Sequence, residues 1–161
     1  MAAADPRPLW IVDGDNVSHG AGRGGGHLRD RARLVGEVTD LMAQLGAECV
    51  IVFDGAGSDR ELGGTAVRFS GGVTADTVIE RLAHRAAAAR RDTTVVSSDS
   101  GIRHVAHREG VHVMSVREFL ERLRAEPETS SGSPSPRQRY RLGDALDPSV
   151  QDALERIRRG Q

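Results

Sequence analysis

Apolar residues fall along this chain in short unbroken runs, separated by segments with helical spacing. Leu9-Trp10-Ile11-Val12 is the first run, and Asp13 closes it. A continuous run of this length reads as a strand buried on both faces. Val50-Ile51-Val52-Phe53 repeats the pattern and ends at Asp54. Thr94-Val95-Val96 repeats it again and reaches Asp99 through Ser97-Ser98. Residues 66–70 form a weaker strand, and Val111 to Met114 a last one. Between the strands, Leu34, Val38, Leu41, Met42 and Leu45 predict a helix over about 28–45, ended by Gly46. Ala75, Val78, Ile79, Leu82 and Ala86 stripe a second helix from about 74 to 90, with Thr74 as its N-cap. A short helix near 100–109 stops at Gly110. Ser115 and Glu118 then form a capping box for a helix carrying Val116, Phe119, Leu120 and Leu123. Residues 18–27 read as a Gly-rich loop. Strands alternating with helices predict an α/β fold in three layers, a central, mainly parallel sheet with helices on both faces.

The chain has 161 residues, enough for one domain with a real core and short extensions. The periodic region spans 1–125. Residues 126–140 are rich in Ser and Pro and read as a flexible linker. In the tail 141–161, Asp147 and Pro148 suit the start of a helix carrying Val150, Leu154 and Ile157. That helix is too short to stand alone in water.

Net charge is −1, and all 22 basic residues are Arg. Abundant Ala and Gly point to a GC-rich genome as the plain source of the Arg. The balance argues against a purely electrostatic nucleic-acid binder, although each guanidinium can grip a phosphate with two hydrogen bonds. The single cysteine, Cys49, reads as a small core residue and permits no disulfide within the chain. The opening residues lack a charged region followed by a long apolar stretch, and no run has the length of a membrane span. A cytoplasmic protein is expected, with no membrane partner. Its oligomeric state stays open.

Acidic residues at strand ends carry the candidate chemistry. In a parallel sheet, ligands bind beyond the carboxyl ends of the strands. Asp13, Asp54 and Asp99 all project there, and Asp76 opens the second long helix. Crowded carboxylates require a cation or a shared proton, and Mg²⁺ or Mn²⁺ suits hard oxygen ligands. Such a site points to metal-dependent phosphoryl chemistry. The cluster Asp13-Gly14-Asp15-Asn16 is costly after a buried strand unless its members serve as ligands or caps. Asn16 can orient Asp13 or a metal-bound water. Ser97 and Ser98 can hold a phosphate oxygen or cap the next helix. Asp76 reads as a ligand or as a favourable charge at a helix N-terminus. Glu80, one turn on, reads as a further ligand or as a surface partner of His84 or Arg81. Asp54 reads as a ligand or as a turn residue before Gly55.

Other signals carry less. Gly20 to Gly25 matches G-x-G-x-x-G but starts several residues after its strand, where the dinucleotide fingerprint follows at once. No G-K-[ST] is present. His104, His107 and His112 lack the partners of a zinc site.

The ordered motifs resemble the YacP-type NYN domain family. Asp13-Gly14-Asp15-Asn16-Val17 is similar to that family's Asp-Gly-Tyr-Asn-Val opening. Phe69 to Glu80 resembles its Thr-Ala-Asp-x-x-Ile-Glu segment, Val95 to Asp99 its third acidic motif, and Val113 to Leu120 its ending. The resemblance covers about 9–124. It implies a PIN-like fold and a metal-dependent endoribonuclease, with RNA, including mRNA at the ribosome, as substrate. By position it makes Asp13, Asp76 and Asp99 the metal-binding acids, with Asp15, Asp54 and Glu80 as further candidates. Asn16, Ser97, Ser98 and Thr74 would bind substrate or support the ligands. The departure is Asp15, where the family has Tyr: it either adds a ligand or repels the RNA backbone.

That departure also creates a likeness to the D-x-D-x-[TV] opening of haloacid-dehalogenase-type phosphatases, with Asp13 as nucleophile and Asp15 as acid. The chain has no Lys for the phosphoryl group, and a phosphatase leaves Asp76 unexplained. Two non-enzymatic roles also stay open. One is a PIN-like RNA- or ribosome-binding module with little catalysis. The second is a small regulatory protein docking through its C-terminal helix.

Overall fold

The computed structural model describes residues 6–21 and 28–125. The Gly-rich segment 22–27, the proposed linker and the C-terminal tail lie outside the described residues. Among the described residues, six strands and five helices follow one another in this order: β1 (Leu9–Asp13), α1 (Gly14–Gly20), α2 (Leu28–Leu45), β2 (Glu48–Phe53), β3 (Arg60–Leu62), β4 (Thr65–Phe69), α3 (Ala75–Ala88), β5 (Thr93–Val96), α4 (Ser100–Glu109), β6 (His112–Met114) and α5 (Val116–Arg124).

They build one sheet in the order β3-β4-β2-β1-β5-β6. All neighbours are parallel except β3 with β4. β1 is therefore central, with β2 on one side and β5 on the other. The chain builds outward through β2 and β4, then returns to the other side of β1. A reversal of this kind opens a crevice at the carboxyl ends of the central strands.

Alternation along β1 divides the core. Trp10 and Val12 enter a cluster with Val17 of α1, with Leu34, Val38 and Met42 of α2, and with Val116, Phe119 and Leu120 of α5. Leu9 and Ile11 enter the opposite cluster with Ile79 and Ala83 of α3 and with Ile102 and Ala106 of α4. Helices thus cover both faces, as the unbroken apolar runs require. Cys49 is buried, and burial pushes its thiol above the ordinary range. Among the described residues no helix is long and apolar enough to cross a membrane.

Two elements differ from the expectation drawn from the sequence. Ser18 to Gly20, expected in a loop, complete the helix α1. Asp13 is its N-cap, its side chain accepting from the Asn16 backbone N–H at 3.3 Å. The segment is poor in apolar spacing because it is only seven residues long, and a single large buried side chain, that of Val17, anchors it. The edge strand β3 has no counterpart in the apolar pattern. All three of its residues are exposed, so no alternation marks it. It pairs back on β4 through Gly63-Gly64, where Gly63 has φ +58°.

Candidate active site

β1 ends at Asp13, and register sets Asp13 beside Val52 of β2 and Val12 beside Val96 of β5. Asp54 closes β2 one residue beyond Phe53, and Ser97 follows Val96 directly. The carboxyl edge therefore brings three separate chain segments together at the reversal point.

A cavity of about 470 Å³ opens there, lined by Asp13, Asp15, Asn16, His19, Asp54, Thr74, Ala75 and Asp76. Asp13 is its deepest acid, only 5% exposed. Its Oδ1 accepts from the Asn16 N–H at 3.3 Å, and its Oδ2 accepts from Ser97 Oγ at 3.2 Å. Burial pushes the Asp13 carboxyl above the usual carboxylate range. The Asn16 and Ser97 hydrogen bonds pull it back, and the charges of Asp76 and Asp15 raise it further. Ser97 is fully buried, and its Oγ also accepts from the Asp99 N–H at 3.1 Å. One hydroxyl thus ties the end of β1 to the turn that carries Asp99.

Asp76 sits in the first turn of α3, behind the N-cap Thr74, whose Oγ1 accepts from the Thr77 N–H at 3.3 Å. The residue is exposed, and its carboxylate has no hydrogen bond among the described residues. Partial shielding first, then the charges of Asp99 and Asp54, raise its pKa. Asp76 is therefore the meeting point of the acidic field, coupled to Asp13, Asp54 and Asp99.

The remaining acids divide. Asp99 caps α4, its Oδ1 accepting from the Ile102 N–H at 3.0 Å, and it reaches the cavity through its charge on Asp76 rather than by lining it. Asp54 is an anchor for α3: its Oδ1 accepts from Ser70 Oγ and from the Ala75 N–H, both at 3.0 Å. Asp15 accepts from Arg31 Nη2 at 3.0 Å on one oxygen and from the Asp54 N–H at 2.6 Å on the other. Glu80 is half-buried and does not line the cavity. His84 pairs with Glu109 at 3.2 Å, not with Glu80. Ser98 Oγ accepts from the Val116 N–H at 3.2 Å and so holds the start of α5.

The structure adds residues that the sequence alone did not single out. Arg31 lies over the rings of Phe53 and Phe69, 4.8 and 5.9 Å from their centroids. Its partner Asp15 is 16 residues away, across the Gly-rich segment, so no local signal links them. His19 lies four residues after Asp15 and meets its carbonyl oxygen at 2.6 Å. A carbonyl can only accept, so Nδ1 carries a proton in this contact and Nε2 is left for another partner. Helical spacing over 14–20 would have put His19 beside Asp15.

A residue-profile model of the YacP-like NYN domain matches residues 11–159. The chain belongs to that family. The match runs beyond residue 125, where the periodic apolar pattern ends. Rae1 (YacP) from Bacillus subtilis has a similar solved structure, with a TM-score of 0.61 and 24% identity over 71% of this chain and 72% of that one. A tryptophan-to-leucine mutant of the same protein gives a TM-score of 0.62 and 22% identity over 72% and 74%. At these identities the likeness shows the fold, which is the NYN/PIN-like one. No curated protein matches the chain. The YacP-like NYN family lies within the PIN-like nuclease superfamily, which gives the chain a nuclease- and RNA-related role.

A divalent cation, which nucleases of this superfamily generally use, fits the donors present. They are hard carboxylate oxygens, and burial first, with neighbouring carboxylates adding to it, raises the pKa of both Asp13 and Asp76. Among the described residues, no three acidic or histidine side chains already converge on one point. The fit is thus one of charge and donor type, with Asp76 as the adaptable member. Both oxygens of Asp15 are engaged, by Arg31 and the Asp54 N–H, whereas Asp54 uses Oδ1 alone.

Proposed function

We propose that this protein is a metal-dependent endoribonuclease that hydrolyses RNA phosphodiester bonds at the cavity under Asp13 and Asp76. The observation that carries this reading is the convergence of Asp13, Asp15, Asp54 and Asp76 on one cavity at the reversal point of an NYN-type sheet. Asp13, Asp76 and Asp99 would hold Mg²⁺ or Mn²⁺. Bound there, the cation would supply an activated water and neutralise charge on the scissile phosphate. Asp13 is fixed by Ser97 and by the first turn of α1, so it holds its place while Asp76 adapts. Ser97 transmits the position of Asp13 to Asp99 through one hydroxyl. Asp54 holds the N-terminus of α3, and with it Asp76, against the sheet edge. His19 and Asn16 stand at the rim, within reach of a bound nucleotide. The products are a 5′-phosphate and a 3′-hydroxyl, and mRNA at the ribosome is one candidate substrate.

A phosphatase of the haloacid-dehalogenase type would need Asp15 as a free acid. Both of its oxygens already accept hydrogen bonds, one from a guanidinium, and the family assignment favours nuclease chemistry. The test is cleavage of a mixed single-stranded and structured RNA pool with Mn²⁺, Mg²⁺ or EDTA, wild type beside Asp76→Asn. Metal-dependent cutting that vanishes in the variant is expected. A folded wild type that binds RNA and cuts none of it with either metal would instead be a binding module.

A further inference from the structure

A second cleft adjoins the acidic cavity and shares a wall with it. It has a volume of about 430 Å³ and runs between α1 and α5. Asn16 and His19 line both spaces, so the short helix α1 separates them. The floor of the second cleft is apolar, formed by Val116 and Leu120, which are buried. The two helices meet this closely because residue 20 is glycine: a Cβ there would lie 2.6 Å from Val116 Cγ1.

The rim carries Arg117 and Arg124, both exposed. Seven residues are about two helical turns, so Arg117 and Arg124 leave one face of α5 with their Cα atoms about 10 Å apart along its axis. Arg117 has a loose surface contact with Glu121 at 3.4 Å, which competes weakly with another anion. Arg124 has no ion pair among the described residues. The contrast with the first cavity is sharp. There four aspartates line the space, and Arg31 pairs with Asp15 alone. Here two guanidinium groups face one carboxylate. A polyanion is held on the α5 side and repelled on the other, where a cation would have to receive it.

We propose that this cleft binds the single-stranded RNA segment next to the scissile phosphate. Arg117 and Arg124 take backbone phosphates, and Val116 and Leu120 lie beneath a ribose or base. The proposal rests on the nuclease reading and extends it to the course of the substrate. The Asn16 amide has no hydrogen bond among the described residues, and with His19 it stands at the divide, where the nucleotide spanning both spaces must pass. No Phe, Tyr or Trp is among the described residues that line the cleft, so the His19 imidazole and the planar guanidinium groups supply the stacking surface for bases. A space of this size suits an unpaired nucleotide rather than a duplex.

The test uses the full chain carrying Asp76→Asn, which blocks cleavage, and a fluorescently labelled single-stranded oligonucleotide in EDTA. Adding Arg117→Glu and Arg124→Glu weakens binding about tenfold or more, and lowers the slope of log affinity against log salt by about 1.4. Reversing Arg103 and Arg108 on α4, which line neither space, changes affinity less than about twofold. In the otherwise wild-type chain, the α5 pair raises KM for RNA, while turnover of a small chromogenic phosphodiester stays unchanged. Equal losses from both pairs, or unchanged affinity in the α5 pair, overturn the cleft and leave the nuclease reading standing. A parent chain that neither binds nor cuts RNA overturns both. If circular dichroism shows the Glu pair to be misfolded, Arg117→Gln with Arg124→Gln decides the question in the same direction.

Discussion

Arg31 Nη2 donates to Asp15 Oδ1 at 3.0 Å, and the other oxygen of Asp15 receives the backbone N–H of Asp54. This pair joins α2, the first turn of α1 and the connection that leaves β2. Asp54 in turn receives the Ala75 N–H, so the position of Asp76 depends on a guanidinium three segments away. The residue that departs from the family's Tyr is thus a brace. Its charge is matched by Arg31, which answers part of the repulsion an added carboxylate would bring to an RNA backbone.

Arg31→Ala removes a charged hydrogen bond and the contacts with Phe53 and Phe69. It leaves Asp15 partly buried without its cation. We expect a loss of about 2 kcal/mol in urea unfolding, together with a lower kcat for RNA. An Arg31→Ala chain with wild-type stability and rate would show that the brace is idle.

Gly14 lies against the β2 edge of the site. A Cβ there would sit 2.5 Å from Phe53 Cε1. Gly14→Ala must displace Phe53 or the first turn of α1, so a loss of about 1–3 kcal/mol is expected, with RNA cleavage falling as Asp13 shifts. Thermal unfolding and initial rates on one preparation check both effects.

Stability should depend on pH through Asp13 and Asp76. Both carboxyls have folded pKa values raised above the ordinary one. A raised carboxyl favours the folded state below its unfolded pKa, and that advantage is lost as pH rises through the folded value. At neutral pH both charges therefore weigh against the fold. Asp76→Asn should raise Tm at pH 7 without metal by about 1–3 °C, a small gain because the side chain is solvent-screened. The gain should vanish below about pH 4, where the wild-type acid is protonated. A Tm difference that is flat with pH would rule out this origin.

A divalent cation that binds the folded state alone should reverse that penalty. Mn²⁺ or Mg²⁺ at about 100 times its Kd adds about 2.7 kcal/mol, visible as a rise in the wild-type Tm. Asp13→Asn and Asp76→Asn should each lose most of this rise, and EDTA should restore the metal-free value. Asp15→Asn should keep it, because Asp15 is committed to Arg31 and Asp54.

Much of this protein was legible in the residues themselves. The apolar runs ending at Asp13, Asp54 and Asp99 marked three central strands, because a strand covered on both faces must be apolar throughout. Thr74, Gly110 and the Ser115–Glu118 box marked helix ends, because orphan backbone groups need local partners. The acids at the carboxyl edge followed from those strands. The short α1 and the edge strand β3 stayed hidden: one buries a single large side chain deeply and the other buries none, so neither leaves a periodic trace. Which acids stand free and which act as braces was decided only in three dimensions. Asp15 spends both oxygens on Arg31 and the Asp54 N–H, and Asp54 spends Oδ1 on Ser70 and the Ala75 N–H, partners that are distant in sequence. Asp76 is left open, and its charge meets those of Asp13, Asp54 and Asp99 only because the sheet reverses direction at β1. Local spacing determines where a carboxylate leaves its strand; the partners that meet it are set by the packing of segments that the sequence keeps apart.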